Sequence, residues 1–313
     1  MGGIIDGCPS GCTINLDQIK DQLQRRQGGS PYTTARREPD ALEILSGIHQ
    51  GKTIGTPLAF IVRNQAHHSS DYDQFATHYR PGHGDHPLRL KYPNYDHRGG
   101  GRSSARETVS WVVAGTIALQ ILQQLYAPEL TIHAQVETIG GTTDYHTLLR
   151  VAQQHGDTLG GTIRCRIQAE PKHLIATGEP FFHKLNASLA HAMMSIPSAI
   201  AFEMGAGFSA ASMWGSQYVD AYTPTPPHTI PHTATNHCGG IQAGIANGMP
   251  IEFRVALHPI ATLPQGIDCI DDDNNITHII PGGRHDTCQV LRTPVIVESL
   301  AAHTLLDLKL QSR

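Results

Sequence analysis

Between Ser104 and Tyr126 the chain carries Val109, Val112, Val113, Ile117, Ile121, Leu122 and Leu125 at helical spacing. These apolar positions cover much of the circumference. The helix they predict therefore needs cover on several sides and belongs between layers rather than on a surface. Its start is marked by Ser104-Ala105-Arg106-Glu107, which has capping-box spacing.

Other elements follow from local pattern. Asn15 is placed to cap a helix whose apolar residues Leu16, Ile19 and Leu23 recur at helical spacing, leaving Arg25 and Arg26 at its C-terminal end, near solvent or ligand. Leu42 to Leu45 and Leu58 to Val62, separated by the Gly-rich Gly51 to Pro57, predict a strand pair. Leu130 to Val136, Thr162 to Ile167 and Ile251 to Leu257 read as strands, Phe181 to Met194 as a helix, and about Pro294 to Leu308 as a closing helix. The segment Asp71 to Gly101 has almost no periodicity, and its Pro, Gly, His and Arg residues favour a structured active-site loop. The 31 glycines and 20 prolines punctuate the whole length without a repeat or low-complexity tract, so a single domain over residues 1–313 is expected. Strand-like segments mixed with few helices, without regular βα alternation, favour an α+β fold over a doubly wound sheet.

Composition excludes several classes. A net charge of -4 gives no electrostatic reason to expect nucleic acid. No apolar run is read as approaching the roughly 20 residues that cross a bilayer, so no membrane partner is expected. Met1 to Gly7 has neither a basic leader nor an apolar signal stretch, and the expectation is cytoplasmic. The six cysteines, at 8, 12, 165, 238, 269 and 288, are too scattered for a disulfide framework. Cys8 and Cys12 have no matching Cys or His pair at zinc-finger distance, so no metal is expected.

Chemistry concentrates in three places. Arg98-Gly99-Gly100-Gly101-Arg102-Ser103-Ser104-Ala105-Arg106 sets glycines just before a capped helix start, where amides, hydroxyls and three arginines suit an anion such as phosphate. The plainer alternative is a helix cap with solvated arginines. Arg80-Pro81-Gly82-His83-Gly84-Asp85 puts an imidazole on a restricted loop beside an arginine and a carboxylate, where it exchanges a proton near neutral pH. Taken alone, such a histidine is more often a surface residue. Gly282-Gly283-Arg284-His285-Asp286 repeats the theme, and its plainer reading is a salt-bridged turn.

Five motifs occur in order: Tyr-Thr-Thr-Ala-Arg-Arg-Glu-Pro-Asp at 32 to 40, Arg-Pro-Gly-His at 80 to 83, Gly-Arg-Ser-Ser-Ala-Arg-Glu-Thr at 101 to 108, Asn-His-Cys-Gly-Gly-Ile at 236 to 241 and Arg-His-Asp at 284 to 286. Together they resemble chorismate synthase from Ile4 to the final helix. The resemblance implies a β-α-β sandwich of mainly antiparallel sheets enclosing a helical core, assembled as a homotetramer. It implies reduced FMN used without net redox, the substrate 5-enolpyruvylshikimate 3-phosphate, and a 1,4-elimination of phosphate that yields chorismate in the shikimate pathway of aromatic amino acid biosynthesis. His83 matches the histidine that protonates reduced flavin, and Asp286 the carboxylate that assists proton removal. Arg102, Ser103 and Ser104 match the FMN-binding segment, and Pro197, Ser198, Ala243, His258, Pro259, Ile260, Ala261, Thr262 and Arg284 further flavin contacts. Arg25, Arg80 and Arg106 match guanidiniums at the substrate. Two sources of reduced flavin stay open, NADPH as reductant on this protein or an external supply.

The chain also departs from the family. Its opening Gly-Glu-Ser-His-Gly, with the histidine that protonates the departing phosphate, finds no counterpart. Pro31 stands where an arginine is usual, and His258 where a flavin-contacting lysine is usual. After His83 the usual Ala-Asp-Tyr-Thr-Tyr is Gly84-Asp85-His86-Pro87-Leu88, and Thr287 stands where proline is common. Two readings follow: a working enzyme, either without its natural start in this sequence or compensated by a nearby histidine such as His86 or His97, or a catalytically impaired paralogue that binds flavin or serves as an oligomeric partner. Retention of Arg102, Arg106, His83 and Asp286 favours the enzyme.

Overall fold

A computed structural model describes residues 1–27, 29–33, 39–64, 69–98, 104–282 and 286–311. The expected core helix is present as Thr108–Leu125, entered through a 3-10 turn Ala105–Glu107. Ser104 caps that turn, its hydroxyl accepting from the Arg106 amide. The central helix packs along the C-terminal helix Pro294–Gln311. The two backbones meet closely at Gly115, where an added Cβ would lie 2.3 Å from the Ser299 carbonyl oxygen. Only a residue without a side chain fits that crossing.

Val109, Val112, Val113, Ile117, Ile121 and Leu122 are buried on the central helix, as are Val295, Val297, Ala301, Ala302, Leu305 and Leu308 on the C-terminal one. Residues 105–125 are long and apolar enough to cross a membrane. That corrects the expectation that no run approaches such a length. The physical reason for the composition here is cover on several sides by protein.

Two antiparallel sheets supply the cover. Gly2–Ile5, Leu58–Val62 and Leu42–Ile44 form one in that spatial order, with Ile4 opposite Ala59 and Ile44 opposite Phe60. Its first two strands lie against the central helix. The other sheet runs Thr131–Ile139, Gly161–Gln168, Ile251–Leu257, Ala199–Met204, and its first two strands lie against the C-terminal helix. Ile163, Cys165 and Ile167 are buried and alternate with exposed residues, and Phe253 and Val255 are buried on the neighbouring strand. Period-two alternation of this kind turns one face of a sheet onto a core and leaves the other to solvent. The result is the expected α+β sandwich, with helices between antiparallel sheets.

The helix Leu16–Gln27 begins as expected, the Asn15 side chain accepting from the amides of Asp17 and Gln18. Two expectations need correction. Phe181 to Met194 is a 3-10 turn Phe181–His183 followed by a helix Leu185–Met194. Phe181 has a φ of 62° and Lys184 a ψ of 135°, and neither lies in a helical backbone region. The stretch 71–101 is also more than a loop. It contains most of a 3-10 helix Ser69–Ala76, a strand His78–Tyr79 and a helix Asp85–Lys91, and the strand joins Ile267–Asp271 and Ile276–Ile279 in a small third sheet. Elements this short carry too few residues for periodicity to reveal.

Candidate active site

The loop that carries His83 is held by its own neighbours. Asp85, opening the helix Asp85–Lys91, accepts from Arg80 Nε at 2.7 Å, from Arg80 Nη2 at 2.8 Å and from the Arg80 amide at 3.2 Å. The Arg80 guanidinium also lies 4.2 Å from the centre of the Phe75 ring. Burial pushes the Asp85 carboxyl up, but the hydrogen bonds and charge of Arg80 outweigh it and hold the group below its ordinary range. Arg80 is thus engaged by a carboxylate of its own loop, and that clamp sets the loop's shape. His86, on the same short helix, meets the Tyr79 ring edge-on.

Clamped in this way, the loop rests on the segment 258–262. His83 Nε2 lies 2.6 Å from Thr262 Oγ1, and a Cβ on Gly82 would lie 2.8 Å from that of Ala261. The Ile260 carbonyl accepts from Thr158 Oγ1 at 2.7 Å, and the next amide, Leu159, donates to the Thr287 carbonyl at 2.9 Å. Residues 158–159 therefore stitch the histidine-bearing side of the site to Asp286. His258 donates its amide to the Ser198 carbonyl, and its Nδ1 lies against the Pro259 carbonyl. A carbonyl only accepts, so Nδ1 carries the proton.

A small pocket continues the site. It is lined by Arg26, Ala105, Thr108, Pro197, Gln289 and Arg292, among others. Arg26 Nε donates to Thr108 Oγ1 at 3.0 Å. Asp40 pairs with Arg106 and lies 3.7 Å from Arg26 Nη1, and Gln27 Nε2 donates to it at 3.2 Å. Asp286, whose side chain is 5% exposed, pairs with Arg292. The donors gathered here are guanidiniums and hydroxyls, a set suited to phosphate oxygens.

The chain belongs to the chorismate synthase family. The family's pattern, described as chorismate synthase, matches residues 1–310. A chorismate synthase of Azobacteroides pseudotrichonymphae genomovar. CFP2 is 43% identical over 335 residues, covering 98% of this chain and 93% of its own. One from Synechocystis sp. (strain ATCC 27184 / PCC 6803 / Kazusa) is 40% identical over 333 residues, covering 98% and 91%. A crystal structure of chorismate synthase matches with a TM-score of 0.74 at 25% identity, covering 99% of this chain and 88% of that one.

Against the residues that the family resemblance singles out, the structure brings together His83, Pro259, Ile260, Ala261 and Thr262. It ties them through Thr158 and Leu159 to the segment of Asp286. Pro197 and Ser198 reach the site through the pocket and through His258, while Ser104 shapes the turn from which Arg106 extends. Arg25 goes elsewhere. Its guanidinium pairs with Glu298 at 2.6 Å and lines a separate pocket with Gln22, Leu119 and His133. Arg26, not Arg25, lines the pocket beside Thr108 and Arg292, and the signal was present in the sequence: Ile19, Leu23 and Arg26 follow i, i+4, i+7 on the buried face, with Arg25 one position off it.

Ala243, with a φ of 52°, opens the turn between the strands Ile241–Gln242 and Ile245–Ala246, and Gly244 after it lies against Glu179 and Lys184. Pro31, at the usual arginine position, accepts from Gln153 through its carbonyl. Arg102, Ser103 and Arg284 lie outside the described residues. Asp40, Thr158, Gln289 and Arg292 were not singled out, since their partners lie in other segments or across a turn. The motif at 236–241 is fastened by Asp220, which accepts from Thr235 Oγ1 and from the amides of His237 and Cys238. Burial pushes the Asp220 carboxyl up, yet these hydrogen bonds hold it down to about 2.

Proposed function

We propose that this protein is a reduced-FMN-dependent lyase that eliminates phosphate from 5-enolpyruvylshikimate 3-phosphate to give chorismate. The observation that carries the reading is the continuous connection from His83 through Thr262, Ile260, Thr158, Leu159 and Thr287 to Asp286. It joins an imidazole and a carboxylate, the two proton-handling groups such an elimination requires, in a family whose named relatives are chorismate synthases.

The donor set fits FMN and a phosphate ester. Arg26 and Arg106, with Arg102 and Ser103, would hold phosphate oxygens, and Arg80 would join them through guanidinium donors its pair with Asp85 does not use. The backbone of residues 258–262, with Pro197, Ser198 and Arg284, would line the flavin. Gly82 keeps the His83 loop close to Ala261, where a side chain would collide. When bound, reduced FMN supplies an electron transiently to the substrate and recovers it. His83 holds a proton at its ring beside the Thr262 hydroxyl. The Asp286 carboxylate takes the proton the substrate loses.

We place the protein in the cytoplasm as a single domain within a homotetramer. Exposure of Ile200, Phe208, Trp214, Val219 and Tyr222 supports an assembly that covers them. Purified protein given dithionite-reduced FMN and substrate without oxygen is expected to release phosphate and form chorismate. Flavin binding without phosphate release would overturn this in favour of an impaired paralogue. Replacing dithionite by NADPH with oxidised FMN tests whether the protein reduces its own flavin.

A further inference from the structure

One guanidinium of the pocket has no part in the mechanism above. Arg292 ends the 3-10 turn Gln289–Arg292, anchored by Cys288 and Val290, both fully buried. Anchors in a close-packed interior fix the direction in which the next side chain leaves the backbone. Arg292 points two ways. Its Nη2 donates to Oδ2 of Asp286, and the side chain also lines the pocket that holds Arg26, Ala105, Thr108 and Pro197. Among the described residues Asp286 is its only protein acceptor. A guanidinium presents five donors in a planar fork, so a single bond to Asp286 leaves donors available to the pocket. The side chain keeps 22% exposure where that of Asp286 keeps 5%. Arg292 therefore reaches from an almost covered carboxylate to a small, partly open pocket.

A carboxylate that takes a proton from a bound molecule must be held to within about 0.5 Å of its productive position. Asp286 lies three residues before that 3-10 turn, outside any helix or strand, and Arg292 tethers it. Gln289, on the same turn, lines the same pocket and extends Nε2 to within 3.5 Å of the His258 carbonyl. The turn thus links the proton acceptor, the pocket and the segment 258–262. We propose that Arg292 is a positioning residue that holds the Asp286 carboxylate with one edge of its guanidinium and offers the other to an oxyanion in the pocket it shares with Arg26. The first half rests on the reading of Asp286 as the group that takes the substrate's proton. The second half stands without it.

Two measurements on Arg292→Ala and Arg292→Lys test both halves. Turnover of Arg292→Ala is expected to fall about 10²-fold, the effect of losing one oriented donor, and added guanidinium ion is expected to restore part of it. Arg292→Lys, a point charge without the fork, is expected between wild type and Arg292→Ala. Independently of turnover, calorimetry with inorganic phosphate on the flavin-free protein is expected to show affinity at least about tenfold lower in Arg292→Ala, the effect of one lost charge-assisted hydrogen bond. Wild-type turnover in both variants overturns the positioning role, as does a loss that guanidinium leaves untouched. Unchanged phosphate affinity overturns the oxyanion role. If Arg292→Ala does not fold, Arg292→Lys carries the comparison, and wild-type turnover and phosphate affinity in it overturn the proposal. A wild-type protein that releases no phosphate from substrate defeats the proposed reaction instead, and the phosphate titration still decides the oxyanion role.

Discussion

The crossing of the central and C-terminal helices and the loop cluster around His83 are held by different physics. At the crossing, Val112, Val113, Ile117, Val297 and Ala301 are buried with nothing to orient them except shape. Burial of this kind is non-directional, roughly proportional to area, and intolerant of added volume. Around His83 charged pairs add to a small apolar cluster of Phe75, Cys269 and Ile279. Arg80 with Asp85, Arg106 with Asp40 and Arg292 with Asp286 fix the geometry by direction and charge. The comparison separates two kinds of residue. Some decide whether the chain folds, and others decide where donors point once it has folded.

The largest expected effect lies on the loop side. His83→Ala should lower turnover about 10²- to 10⁴-fold, the usual loss for a general acid or base, while flavin titration shows nearly unchanged affinity. Equal losses in turnover and flavin affinity would mean that His83 shapes the site instead of handling a proton. Next comes the helix crossing. Gly115→Ala drives a Cβ into the Ser299 backbone and should destabilise the fold by about 3 kcal/mol, read from the urea midpoint. A midpoint like wild type would show that the helices separate more easily than the packing implies.

Acid should tell the two regions apart by a smaller margin. The folded-state pKa of Asp85 is lowered, so its contribution to stability is present above the ordinary carboxylate pKa of about 4 and fades as pH falls through the folded value. Hydrogen exchange in acid should lose protection in residues 80–91 before it does in the central helix, and Asp85→Asn should flatten that dependence. Simultaneous loss in both regions would make the loop part of the same cooperative unit. Arg25→Ala should be the mildest change. Its partly exposed pair with Glu298 is worth up to about 1 kcal/mol, and steady-state kinetics should be unaltered. Arg26→Ala should raise KM for substrate. The opposite pattern would return Arg25 to the site.

Much of this protein was legible in its residues alone. The apolar series after Ser104 determined an enclosed helix, Asn15 and Ser104 determined two helix starts, and alternation in Thr162 to Ile167 and Ile251 to Leu257 determined strands. Each depends on side chains within a turn or two of one another, and five motifs in order pointed to the family. Tertiary structure alone decided which distant groups meet: Asp40 takes Arg106, and Thr262, 179 residues away, takes His83, whereas Asp85 with Arg80 and Asp286 with Arg292 pair within one short stretch of chain. Periodicity records which face of an element is buried, and a partner is chosen only when distant segments are folded together.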